Sequence, residues 1–308
     1  MINKYLVFDV GGTNVKYAII DRSGKLIEKN SMVTLHSLND FISSLQKIID
    51  YYRGSFTGIA FSVPGRVSHD DGKIYGGGSL PFMDKKSLAD LINTDVPVAV
   101  ENDGKAAALS ELWLGNLKDI KNGAAIVLGT GVGGGIIMNH QLIYGSHFQA
   151  GEVSFLVNNS KKLGYDDLEG SSGSAVKMIN ECATKLGLNN KNDGKRVFEE
   201  INKDNDSIMP IFERYCRNIA TLIHNIQAII DLDRYVIGGG ISSQPIVAQT
   251  INQEFIKLRS EVPIIQTTLS KPKIINSKFK NDANLYGALY NWLMNMDNYF
   301  QNKGQATN

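Results

Sequence analysis

Asp9-Val10-Gly11-Gly12-Thr13-Asn14-Val15-Lys16-Tyr17-Ala18-Ile19-Ile20 returns in looser form as Leu128-Gly129-Thr130-Gly131-Val132-Gly133-Gly134-Gly135-Ile136-Ile137. Gly12, Thr13, Val15, Ile19 and Ile20 each recur at one constant offset. In both copies an apolar run, Leu6-Val7-Phe8 or Ile126-Val127-Leu128, enters a glycine-threonine turn and leaves into a second apolar run. That is the pattern of a β-hairpin. Glycines in such a turn let backbone N–H groups approach an anion with no Cβ in the way, and the threonine hydroxyls add donors. Two matched turns of this kind predict an α/β chain in two halves with a nucleotide held between them.

Outward from the first copy, residues 5–10, 15–21 and 25–30 read as a three-strand meander, with Asp21-Arg22-Ser23-Gly24 as a turn. Phe41, Leu45, Ile48 and Ile49 recur at helical spacing behind Asn39 as a candidate cap, which predicts an amphipathic helix packed on that meander. Gly58–Ser62 reads as a strand ending in the turn Val63-Pro64-Gly65. The stretch from Asp70 to Pro81 reads either as a loop that contacts substrate or as a long connection. Val96–Val100 is a further buried strand, and Glu101-Asn102-Asp103 sits where it ends, ahead of the helical run Lys105–Leu114. Ligands of open α/β sheets bind outside the carboxyl ends of strands, so Asp103 has the address of a catalytic base. Taken alone, an Asn-Asp pair before a helix is more often an N-cap with no chemical duty, and the flanking glycine-threonine turns reverse that reading toward catalysis.

Beyond the second hairpin, residues 172–186, 195–203 and 207–231 carry helical periodicity. Tyr235-Val236-Ile237 then enters the flat turn Gly238-Gly239-Gly240, against which a base or ribose can lie because no side chains intervene. With 308 residues, two domains are expected: 1–117, and 118–283, with a C-terminal helix from about 284 to 308 packing back on the first.

The formal net charge of +1 gives no electrostatic reason to expect nucleic acid or an anionic membrane as partner. Cys182 and Cys216 have no C-x-x-C spacing, which argues against a zinc knuckle or a disulfide framework. No apolar run reaches the length of a membrane span and no signal peptide is recognisable, so a cytoplasmic, soluble protein is expected. His147 and His224 read as packing residues, and Trp113 and Trp292 as core or interface.

Taken together, the motifs resemble the ROK family of sugar kinases within the actin-like ATPase superfamily. The family's D-x-G-G-T-x-x-K is complete in Asp9, Gly11, Gly12, Thr13 and Lys16, and its G-T-G-x-G-G-G in Gly129, Thr130, Gly131 and onward to Gly135. Its E-N-D matches Glu101, Asn102 and Asp103, its adenosine-side glycine turn Gly238, Gly239 and Gly240, its P-G turn Pro64-Gly65 and its sugar-contacting G-E Gly151-Glu152. The resemblance implies a two-domain actin-like ATPase (ribonuclease H-like) fold with a cleft between the domains. It also implies ATP and Mg²⁺ as cofactors, a homodimer, and sugar contacts from Gly65, Asn102, Asp103 and Glu152.

Three departures bear on substrate. Most members carry a histidine three residues after the glutamate, followed by a cysteine-rich zinc loop; here the position is Phe155 with no cysteine nearby, so no structural zinc is expected. The family histidine also touches hydroxyls near C1 and C2, so an aromatic ring there offers an apolar face instead, as in zinc-free members similar to β-glucoside kinases. Lys105, next after Gly104, reads as a solvated helix residue in preference to a charge near the phosphates. The later acidic sugar contact stays open: Asp167 fits the spacing to Ser171, whereas Glu169 fits the local Leu-Glu pair.

The expected activity is ATP-dependent phosphorylation of a hexose or hexoside, at the C6 hydroxyl, with Asp103 as general base and Mg²⁺ held with ATP near Asp9. A sugar-sensing ROK regulator is the alternative, but only eight residues precede Asp9, too few for a DNA-binding module. A dinucleotide oxidoreductase ranks lower, because G-x-G-x-x-G must open a helix and Gly135-Ile136-Ile137 reads as a strand.

Overall fold

The computed structural model describes residues 3–158 and 163–305, with side chains as far as 296. It forms two compact units, one from the described residues of 1–114, 144–150 and 282–308, the other from those of 115–143 and 151–281. Residues 306–308, the tail of the expected C-terminal helix, lie outside the described residues.

The first unit is built on β1 (Lys4–Val10), β2 (Asn14–Asp21), β3 (Leu26–Val33), β4 (Ile59–Val63) and β7 (Val98–Asn102), in the order β3-β2-β1-β4-β7. The first three strands form the antiparallel meander, and β4 and β7 run parallel to β1. β1 is buried on both faces: Leu6 and Phe8 pack toward Phe41, Leu45 and Ile49 of helix α1 (Leu38–Tyr51), while Tyr5 and Val7 face the opposite layer. Period-two side-chain alternation puts these residues on opposite sides of one strand. The cap of α1 is Ser37 and not Asn39. Its Oγ accepts the Asp40 N–H at 3.2 Å, because Ser37 is the extended residue immediately before the first helical turn.

Part of the stretch between Asp70 and Pro81 is ordered as strand. β5 (Arg66–Val67) and β6 (Ile74–Tyr75) make a two-stranded antiparallel ribbon, followed by the short helix α2 (Leu88–Leu91). Helix α3 (Asp103–Trp113) leaves the end of β7.

In the second unit the sheet is β10-β9-β8-β11-β12, from β8 (Gly123–Leu128), β9 (Val132–Met138), β10 (Gln141–Leu142), β11 (Arg234–Gly239) and β12 (Lys273–Asn276). Three strands are again antiparallel neighbours, and two more run parallel to the first of them. The repeated sequence is therefore a repeated topology. Gly11–Thr13 is the turn from β1 to β2, and Gly129–Gly131 the turn from β8 to β9. The core on this sheet takes in residues of α5 (Ala175–Lys185), α6 (Gly194–Ile201), α7 (Met209–Ile230) and α8 (Pro245–Glu261); α4 (Glu169–Ser172) lies against β9, and α9 (Pro263–Thr268), which has no buried residue, packs on α8. The apolar face of α7, with Phe212, Ile219 and Ile223 fully buried, forms the middle of that core.

Helix α10 (Ala283–Gln305) returns the chain to the first unit. Leu285, Leu289 and Trp292 pack under Tyr5, Val7 and Ile20, and the Trp292 indole donates to the Pro97 carbonyl at 3.0 Å. Gly287 lies against α3 so closely that a Cβ there would stand 1.7 Å from the Ala106 carbonyl oxygen. This packing leaves α3 without a solvent face across Gly104–Leu112. Lys105 is consequently 1% exposed and not the solvated helix residue expected from its neighbours in sequence. Among the described residues, no helix is long and apolar enough to cross a membrane.

Candidate functional site

In the first unit, cross-strand register brings Asp9 opposite Lys16, and the Lys16 ammonium donates to Asp9 Oδ2 at 3.1 Å. The other oxygen, Oδ1, accepts the Asn284 side-chain amide at 3.0 Å, a contact from the first turn of α10. The adjoining Gly11–Thr13 turn is anchored from behind: Thr34 Oγ1 donates to the Gly11 carbonyl at 2.7 Å and the Thr34 N–H to the Thr13 carbonyl at 2.9 Å. Gly11 and Gly12 stay half-buried and Thr13 exposed, so a short glycine turn beside a lysine faces outward. That is a setting for an anion. Neither Asn284 nor Thr34 carries a local signal that would have marked it.

Gly65, Asn102 and Asp103 come together at the carboxyl ends of β4 and β7. Asn102 caps α3, its Oδ1 accepting the Lys105 N–H at 3.1 Å, while its Nδ2 donates to the Gly65 carbonyl at 2.9 Å and to Asp103 Oδ1 at 3.0 Å. Asp103 Oδ1 also accepts the Gly104 N–H at 2.8 Å, and the residue is half-buried. Gly65 has φ +92°, and a Cβ there would meet the Gly77 nitrogen at 2.9 Å, so only glycine fits the turn that turns this carbonyl toward Asn102. The cap reading and the site reading of Asn102-Asp103 thus coincide: Asn102 caps, and Asp103 is steadied in the first turn of the same helix.

Sequence reasoning gave Glu101 of the E-N-D motif no role of its own and passed over His69 and Tyr144. Glu101 is fully buried; its Oε2 accepts the Tyr144 hydroxyl at 2.7 Å and lies 3.3 Å from His69 Nε2. Burial, reinforced by the Glu101 charge, pushes the Tyr144 hydroxyl far above its ordinary pKa and keeps it a donor.

In the second unit, Gly239 pairs with Leu128, so the Gly239-Gly240 turn and the Gly129-Thr130-Gly131 turn share one sheet end. Thr130 and Gly240 are exposed there. Gly151-Glu152 precedes a 3-10 turn, Val153–Phe155, in which Phe155 is 69% exposed. Asp167 and Glu169 differ in setting. Asp167 Oδ2 accepts the Gly164 N–H at 2.8 Å as a local cap. Glu169 is buried: its Oε2 accepts the Ser172 hydroxyl at 2.9 Å, its Oε1 has no hydrogen-bond partner among the described residues, and burial raises its pKa.

The ROK family model matches residues 5–295. The chain belongs to the ROK family. It is 31% identical over 303 residues to a β-glucoside kinase of Listeria innocua, covering 94% of this chain and 97% of that relative. A glucokinase of Halalkalibacterium halodurans is 26% identical over 98% of each chain. Among solved structures, a ROK family protein from Streptococcus pneumoniae in complex with sucrose superposes with a TM-score of 0.83 at 30% identity, covering 96% of this chain and 99% of that one. The two like-ordered sheets of this ROK protein are those of the actin-like ATPase fold.

Among the described residues of this ROK chain, no three His, Cys, Asp or Glu side chains gather as a metal-ligand group. Asp9 has a lone pair left on each oxygen after its bonds to Lys16 and Asn284.

Proposed function

We propose that this ROK sugar kinase transfers the γ-phosphoryl group of ATP to the C6 hydroxyl of a hexose or hexoside, with Asp103 as the general base. A sugar hydroxyl is a weak nucleophile, and a carboxylate within hydrogen-bond reach takes its proton as the new O–P bond forms. The observation that supports this role is the fixing of Asp103 Oδ1 by Asn102 and Gly104 at the mouth of β7, which sets the carboxylate's direction before substrate arrives. Gly65, Asn102, Glu152 and, of the two later acids, the buried Glu169 are the sugar contacts in this reading.

Phosphoryl transfer otherwise depends on positioning and charge neutralisation. The N–H groups and hydroxyls of Gly11, Gly12 and Thr13, and of Gly129, Thr130 and Gly131, donate to the phosphates, with Lys16 adding charge. Gly239 and Gly240 leave room for the adenosine. Mg²⁺ carried with the nucleotide would neutralise phosphate charge, and Asp9 is the residue that would orient its water.

The exposed Phe155 ring favours an acceptor that carries an apolar or bulky group at C1. ADP release measured across glucose, fructose, mannose, N-acetylmannosamine and cellobiose tests both levels of the reading. Acceptor-dependent ADP with cellobiose ahead of glucose is the expected result. Strict preference for free glucose removes the role given to Phe155, and no acceptor dependence removes the kinase reading itself.

A further inference from the structure

No step of the proposed transfer uses Glu101, yet it is the most completely buried acid beside the base. Taking a carboxylate out of water is costly unless both oxygens are hydrogen bonded. Here they are. Oε1 accepts the Asn102 N–H at 2.8 Å, and Oε2 accepts the Tyr144 hydroxyl at 2.7 Å beside His69 Nε2 at 3.3 Å. The His69 ring packs on Tyr144 with centroids 4.5 Å apart and on Phe148 at 5.6 Å. Tyr144 and Phe148 belong to residues 144–150, which follow β10 of the second sheet but join the first unit.

We infer that Glu101 is a positioning residue for the base, held in place by Tyr144 and His69; the inference rests on reading Asp103 as that base. Glu101 Oε1 fixes the peptide N–H of Asn102. From that same residue one side-chain amide holds both the Gly65 carbonyl and Asp103 Oδ1. Loosening Glu101 therefore moves the group that aims Asp103, while the Gly11–Thr13 turn keeps its own anchors on Thr34. Residues 144–150 reach Glu101 through the Tyr144 hydroxyl and through His69, which stacks on Phe148.

The test is steady-state ADP release by Tyr144→Phe, Glu101→Gln, Glu101→Ala and Asp103→Asn, with the sugar of the panel that is turned over fastest. Tyr144→Phe keeps the ring stack and removes only the hydroxyl. It is expected to lower kcat roughly tenfold, the size of one lost hydrogen bond to a charged group, with KM for ATP unchanged. Glu101→Gln keeps an oxygen for the Asn102 N–H and should recover most of the kcat that Glu101→Ala loses. An unchanged kcat in Tyr144→Phe, or a Gln variant as slow as Ala, overturns the inference. If Glu101→Ala does not fold, the Tyr144→Phe kcat alone decides. Near-normal turnover by Asp103→Asn removes the base itself, whereas an inactive Asp103→Asn beside a fully active Tyr144→Phe removes only the positioning role.

Discussion

Asp9 is held by one partner that is near in sequence and one that is remote. Lys16 follows from the hairpin register, but Asn284 arrives from the far end of the chain, and no local pattern marks an asparagine at the start of a helix as the partner of a strand carboxylate. Replacing Asn284 with Ala takes away a hydrogen bond to a charged group. KM for MgATP should then rise roughly tenfold in initial-rate measurements, with kcat little changed. Glu169 gives a second outcome with a definite sign. Its folded-state pKa is raised by burial, so the folded protein binds a proton more readily than the unfolded chain across the range above the ordinary carboxyl value. The contribution is full below that value and is lost as pH rises through the raised one. Melting curves of wild type and Glu169→Gln should therefore diverge, with wild type losing ground to the variant as pH increases from 4 to 8. The two cysteines are both buried; burial pushes the Cys182 thiol up to about 11 and the Cys216 thiol well above its usual value. Neither should react with iodoacetamide in the native protein at pH 8, and both should react in urea.

Helix α3 shows where periodic reading fails. Its start was legible, since Asn102 is a good cap and the strand before it is apolar, but its surroundings were not. A stretch such as Lys105-Ala106-Ala107-Ala108 reads as a helix with one charged, solvated side chain, whereas the packing of α10 buries it all round. The decisive residue is Gly287, an unremarkable position in sequence that lets two helix backbones touch. Gly287→Ala places a Cβ on the Ala106 carbonyl and should cost about 3 kcal/mol or more in urea unfolding, at the upper end for overpacking. The cap of α1 is a smaller case of the same kind. Ser37 and Asn39 are both acceptable cap types, and only the extended backbone at Ser37 chooses between them.

The duplicated sheet was readable from two short hairpins because a phosphate-type turn constrains many residues at once: glycine for backbone approach, threonine for a donor, β-branched residues for the flanking strands. The glycine turn after β11 and the address of Asp103 followed from the same strand-end logic. What sequence did not reveal is the course of residues 144–150. No composition shift separates Leu142 from Tyr144, yet the chain passes there from one unit to the other and delivers the hydroxyl that Glu101 accepts. Long-range partners of this sort, Tyr144 with Glu101 and Asn284 with Asp9, are set by tertiary packing and leave no periodic trace. They adjoin the residues to which the proposed function assigns catalysis and phosphate binding. Rapid-quench measurement of a single turnover, with Asp103→Asn and wild type compared at saturating MgATP and sugar, isolates the chemical step. A fall of about 10²–10⁴-fold with substrate affinities retained is expected of a lost general base. A transfer rate within about threefold of wild type contradicts Asp103 as the group that takes the acceptor's proton.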